Sequence, residues 1–238
     1  FTRETYRILG GELAELGFNL NFAPVVDVNV NPDNPVIGYL ERSFSNDPEV
    51  VVRHATFAVE EYDALGILTA LKHFPGHGSS ASDSHLGLVD VSDTYEKERE
   101  LLPYQELIAS NHARMIMTAH VMNRHVDPEL PATLSPLFLH DWLRGELGYT
   151  GVIVSDDMQM GAIVDHYGFE EALVLAVNAG VDMIILSNNG RDYDDGVARR
   201  AIEALVDAVS NGEISRERIY ESSERIRELK KSYAHITP

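Results

Sequence analysis

Five times along this chain a short apolar run gives way to a stretch of helical periodicity. The runs are residues 19–26, 67–72, 115–120, 152–156 and 182–186, and the helical stretches are 47–65, 94–110, 136–147, 169–179 and 197–210. Another helix is expected over 2–16, stopped by Gly17, and a last one over 216–233. Strands this apolar leave no face for water, so they belong in a parallel sheet covered by helices. Asp47 reads as an N-cap with Pro48 at the first helical position, and Pro103 predicts a kink inside its helix.

A doubly wound open sheet and a (β/α)8 TIM-like barrel both fit this α/β alternation. Polar residues end four different strands (Asp27, Lys72 with His73, His120, Asp156), and a barrel places its chemistry at those ends. No Gly-x-Gly-x-x-Gly turn follows any strand, as a dinucleotide-binding sheet would show. The barrel is therefore the expected fold. Five strands do not close a barrel of eight, so N-terminal strands are expected to be missing from this chain and supplied by an upstream segment or a second chain. No repeat or linker interrupts residues 1–238, which read as a single catalytic barrel domain, incomplete at its N-terminus.

Charge narrows the partners. Nineteen basic against 38 acidic residues give a net charge of −19, which argues against nucleic acid and against anionic membranes. With no Cys, disulfides, thiolate metal sites and Cys nucleophiles are excluded. No run has the length of a transmembrane helix and no signal peptide is read, which favours the cytoplasm. The chain opens on Phe1 inside a helical pattern, however, so the compartment stays open.

Residues 72–85 concentrate the polar chemistry. Lys72, His73, His77, Asp83 and His85 lie around Pro75, Gly76 and Gly78, which preclude a helix. The Gly/Ser-rich stretch 76–82 is expected to be mobile. Asp83 and His85, two apart in a loop, can set a carboxylate against an imidazole and fix its tautomer. Of the neighbouring acids Asp156 and Asp157, one reads as a carboxylate at the barrel mouth and the other as a helix cap. His73 and His77 have zinc-ligand spacing but no helix to present it. A looser metal site from His73, His77, His85, His120 and Asp156 is weighed against the lack of a His-x-His pair on an early strand; no metal or cofactor is expected. Arg42 reads equally as a surface or a site residue, and His120 slightly more as a core histidine. Trp142 reads as packing, and the charges of 216–231 as a solvated helix face.

Residues 21–27, Arg42-Ser43-Phe44, the 72–85 segment, Thr118-Ala119-His120-Val121 and Ser155-Asp156-Asp157-Met158 together resemble glycoside hydrolase family 3, in its β-N-acetylhexosaminidase branch. The likeness runs in one register to about Leu186, and the 72–85 segment is its specific part. By position it implies Asp156 as nucleophile, His85 as general acid/base with Asp83 as its partner, and Arg42, Lys72 and His73 as substrate-binding residues. Family members also carry an upstream strand that supplies an Asp to the sugar; that segment is absent here. The implied function is retaining release of terminal β-linked N-acetylglucosamine from peptidoglycan fragments or chitin oligosaccharides, through a covalent glycosyl-Asp156 intermediate. A neutral imidazole base does not repel an anion, so phosphorolysis by the same site is one alternative. A β-glucosidase or β-xylosidase of the same superfamily and a metal-dependent barrel hydrolase are the others.

Overall fold

The computed structural model describes residues 1–84, 87–189 and 193–233. Its centre is a five-stranded, all-parallel sheet built from β1 (Leu20–Asn21), β2 (Leu68–Phe74), β4 (Met115–Thr118), β6 (Val152–Asp157) and β7 (Met183–Ile185), hydrogen-bonded in that order. A small parallel ribbon pairs β3 (Val89–Asp90) with β5 (Val121–Met122) beside it. The sheet neither closes nor reverses its strand order, and β1 and β7 are its edges. It is an open parallel sheet of half-barrel form.

The two faces of the sheet are chemically distinct. Leu71, Ile116 and Ile153 point outward into a core shared with helices α2 (Pro48–Ala64), α4 (Leu102–Ala109) and α6 (Phe169–Ala179) and the π-helix Leu137–Glu146. Burial of each such side chain stabilises the fold by about 1.5–3 kcal/mol. Ala70, Met115, Met117, Val152 and Val154 point inward, where Ile226 and Leu229 of α8 (Arg216–Tyr233) pack against them. This alternation explains why the runs read as uniformly apolar: both faces are covered.

Local chemistry sets the other elements. Asp47 caps α2 by accepting from Glu49 N (3.0 Å), and α2 buries Val51, Ala55, Ala58, Val59 and Tyr62 on one stripe. α1 (Thr2–Glu15) lies close against α2, since a Cβ on Gly10 would come within 2.7 Å of Leu65 Cδ1. The short helix α5 (Gly161–Val164) follows β6, and α7 (Val197–Ser210) packs on α6.

Four expectations need correction. The first strand is ladder-paired only at Leu20–Asn21, with one further bridge from Val25 to Lys72, because Pro24 cannot donate. The kinked helix 94–110 is two helices, α3 (Lys97–Glu100) and α4, divided at Leu101 just before Pro103. Residues 76–80 are buried, with Ala81 and Ser82 the exposed part of the stretch expected to be mobile. The charges of the last helix do not all face water: Arg218 and Arg225, with Arg144, surround the Asp182 carboxylate at 2.8–3.1 Å, and that side chain is fully buried. Burial would raise the Asp182 carboxyl, but hydrogen bonds from Ile153 N and the Ser222 hydroxyl, and then the charges of Arg144 and Arg218, hold it below the ordinary range. Arg218 and Arg225 tie α8 to the N-terminal end of β7.

Candidate active site

At the C-terminal end of the strands the inner face opens into a cavity of about 270 Å³. Its floor is apolar (Phe22, Met117, Ile185), and its wall carries Arg42, Lys72, His73, His77, Ser84 and Asp156. All five strands of the sheet thus contribute to one mouth: β1, β2, β4, β6 and β7.

Asp27 organises the wall. Its carboxylate is fully buried, with Oδ2 2.7 Å from His73 Nδ1, while Oδ1 accepts from His73 N (3.1 Å) and His77 N (2.8 Å). Burial alone would raise its pKa, but His73 outweighs it and the carboxyl stays below its usual range. For Nδ1 to donate to Asp27, it must carry a proton, and the ring's other nitrogen, Nε2, is not engaged by Asp27. Burial pushes the His77 pKa down to about 4, so this ring is neutral at physiological pH, its Nδ1 2.8 Å from Ser80 Oγ and its Nε2 3.1 Å from Ser84 Oγ. Burial and the adjacent Arg42 pull Lys72 below the ordinary lysine range, while Asp156 and Asp27 pull it back.

The two acids at the end of β6 differ. Asp157 accepts from Gln159 N (3.1 Å), Ser187 N (3.1 Å) and the Ser187 hydroxyl, so it ties the loop after β7 to the loop after β6. Asp156 lines the cavity, half-buried; its Oδ1 accepts from Asp157 N (2.8 Å), and no described residue donates to Oδ2. Burial raises its pKa, but His73, His120 and Lys72 bring it below the carboxylate norm. It is an ionised carboxylate with one oxygen turned to the pocket.

His120 is fully buried, with Nδ1 2.8 Å from Thr133 Oγ1 and Nε2 donating to the Asp157 carbonyl (2.9 Å), and burial lowers its pKa. It braces the backbone beside Asp156. Arg42 Nη1 donates to the Val36 carbonyl (2.9 Å), which turns the side chain toward the cavity.

The loop after β2 is built into its surroundings. A Cβ on Gly78 would sit 1.7 Å from the Val28 carbonyl oxygen, so only glycine lets these strands of chain touch. Asn34 Nδ2 donates to the His77 carbonyl (2.6 Å) and Asn31 Nδ2 to the Ser80 carbonyl (2.9 Å). Farther on, Ala162 N donates to the Ser84 carbonyl (3.2 Å), and the ribbon β3–β5 fastens the segment beyond. Asp83 is half-buried between exposed Ser82 and buried Ser84. His85 lies outside the described residues; its neighbour Ser84 lines the cavity. Asp156, Arg42, Lys72 and His73 therefore come together, and Asp83 stands at the loop position leading to them.

Sequence reasoning missed Asp27 as the wall's organiser, Asn34 as the loop's fastener, and Glu100, which sits buried under the same loop. Asp27 was visible as a strand-end carboxylate; the other two gave no signal. Among the described residues no three His, Cys, Asp or Glu side chains gather into a set that could hold a metal ion. No described helix is long and apolar enough to cross a membrane.

Residues 1–229 match the family described as Glycosyl hydrolase family 3 N terminal domain. The chain is 40% identical over 237 residues to Beta-hexosaminidase A of Pseudoalteromonas piscicida, covering 93% of this chain and 39% of that protein. It is 36% identical over 211 residues to a Beta-hexosaminidase of Tolumonas auensis, covering 88% and 59% respectively. Among solved structures, a glycoside hydrolase family 3 beta-N-acetylglucosaminidase from Paenibacillus sp. str. FPU-7 superposes with a TM-score of 0.89 at 43% identity, over 98% of this chain and 43% of the other. The chain thus spans about two fifths to three fifths of the length of these relatives.

Proposed function

The chain belongs to glycosyl hydrolase family 3, and from that premise we propose that it carries the catalytic centre of a retaining β-N-acetylglucosaminidase. The observation that supports this most is the Asp156 carboxylate: ionised, half-buried, and open on one oxygen to a cavity walled by Lys72, His73 and Arg42. In this reading Asp156 attacks the anomeric carbon and the aglycone oxygen leaves with a proton from His85, whose imidazole Asp83 orients. The same imidazole then takes a proton from water as the glycosyl-Asp156 ester breaks. Lys72, Arg42 and the Nε2 of His73 hold sugar hydroxyls, and Phe22, Met117 and Ile185 exclude water from the bond being broken.

The terminal sugar is proposed to be N-acetylglucosamine, from peptidoglycan fragments or chitin oligosaccharides, in line with the names of the relatives. The arc of five strands is read as part of an eight-stranded barrel, with the gap between β7 and β1 filled by an upstream segment or a partner chain. Phosphate is the alternative acceptor, since a neutral imidazole base tolerates an approaching anion.

Assay of the full-length protein on aryl β-N-acetylglucosaminide and aryl β-glucoside tests the substrate class. We expect kcat/KM to favour the acetamido sugar by about 100-fold or more, the range reached when a site is built around a substrate polar group. Equal rates on the two would contradict the reading. Adding phosphate and measuring N-acetylglucosamine 1-phosphate separates the two acceptors.

A further inference from the structure

Glu100 ends α3 and lies under the turn that follows β2, only 1% exposed. Its carboxylate meets three backbone donors. Oε2 accepts from Gly78 N (3.1 Å) and Ser79 N (3.3 Å), and Oε1 accepts from Glu96 N (3.3 Å). Gly76 rests on the same side chain with φ +135°, and a Cβ there would come within 2.9 Å of Oε2. The turn so held leads through His77 and Ser80 to Asp83 and Ser84.

We propose that Glu100 is a positioning residue, an ionisable clamp that holds the 76–84 loop through Gly78 and Ser79 as a carboxylate and slackens when it takes up a proton. The functional consequence rests on Asp83 and His85 being the acid/base pair, because the clamp sets where that pair stands. The reason is stereochemical. Three N–H donors occupy three of the carboxylate's four acceptor sites, so a proton goes to the remaining site on Oε1, and the neutral acid is a weaker acceptor for all three bonds than the charged carboxylate. Burial pushes this carboxyl up to about 7, helped by the nearby Asp27 charge and opposed by the bonds from Ser79 and Glu96. The ionisable groups facing it are Asp27 beyond β1, Tyr95 before α3 and Tyr104 on α4, and none of these three is a cation. Both protonation states are therefore populated near neutrality.

His77-Gly78 is the one His-Gly dipeptide in this sequence, so carbonyl-13C histidine combined with 15N glycine isolates the Gly78 amide signal. In the whole protein that signal should move between pH 5.5 and 8.5 with a midpoint near 7, and Glu100→Gln should leave it stationary. In parallel, Glu100→Ala should lower kcat on aryl N-acetylglucosaminide roughly ten- to a hundredfold, the scale of a misplaced catalytic group, with KM within about twofold. Glu100→Gln is neutral at every pH and so stands for the slack clamp: its kcat should stay at the parent's low-pH level from pH 5.5 to 8.5, while the parent's kcat rises with pH across that range. A Gly78 amide that does not titrate, or titrates alike in Glu100→Gln, overturns the clamp whatever the enzyme hydrolyses. An amide that titrates as stated in a protein inactive on N-acetylglucosaminides upholds the clamp and counts against the glycosidase reading instead.

Discussion

Asp27 shows how one carboxylate can organise the wall of a cavity. It has no exposure, yet it stays ionised because His73 and two backbone amides meet it. Its folded pKa lies below the ordinary value, so its contribution to stability is present above about pH 4 and is lost as pH falls through the lowered value. Replacing it by Asn keeps the volume but turns a donor toward His73. Asp27→Asn should destabilise the protein by about 3 kcal/mol at pH 7, as when one partner of a buried pair is removed, and should disorder Lys72–His73 at the cavity. Urea denaturation at that pH provides the check, and a loss below about 1 kcal/mol would contradict this account. Asp156 and Asp157 show the other side of residue-scale reasoning. Adjacent in sequence and identical in type, they diverge because Asp157 meets three donors in the loops around it and Asp156 meets one.

Among the elements, the loop after β2 and the end of α3 beneath it hold two groups with opposed titrations. His77 has a folded pKa of about 4 against an ordinary 6.5, so the unfolded chain binds more protons between those values and stability falls on acidification. Glu100 has a folded pKa of about 7 against 4.5, so the folded state binds more protons in its window and stability rises on acidification. Between pH 6.5 and 4.5 the two slopes cancel. Glu100→Gln should unmask the His77 slope, adding a loss of about 2–3 kcal/mol across that interval relative to the parent, readable in urea melts at three pH values. Parallel curves for the two proteins would refute it. Much of this architecture could be read from the sequence: the apolar runs marked strands covered on both faces, and Pro75, Gly76 and Gly78 marked a loop rather than a helix. Glu100 could not be read. It stands among Glu96, Lys97, Glu98 and Arg99, a pattern that resembles a solvated face, and only the packing of the β2 loop over it creates its burial. The same holds for Arg218 and Arg225, whose partner Asp182 is distant in sequence.

For the whole molecule, the division of labour runs along the strands. The N-terminal end of β7 carries the Asp182 ion cluster that fastens α8, and the C-terminal end faces the cavity through Ile185. Asp182→Asn leaves three guanidinium groups short of their shared charge and should cost about 3–5 kcal/mol in denaturation, with kcat of the folded fraction within about twofold of the parent. A matching loss of kcat would join the two ends that this account separates. The central claim concerns the other end, where the Asp156 carboxylate is read as forming a bond to the sugar. The direct measurement is to trap the full-length protein with a slow fluorinated N-acetylglucosaminide, digest it, and locate the added glycosyl mass by tandem mass spectrometry. The account predicts the mass on Asp156 and its disappearance in Asp156→Ala. A label on Asp157 or another carboxylate, or parental turnover in Asp156→Ala, would contradict it.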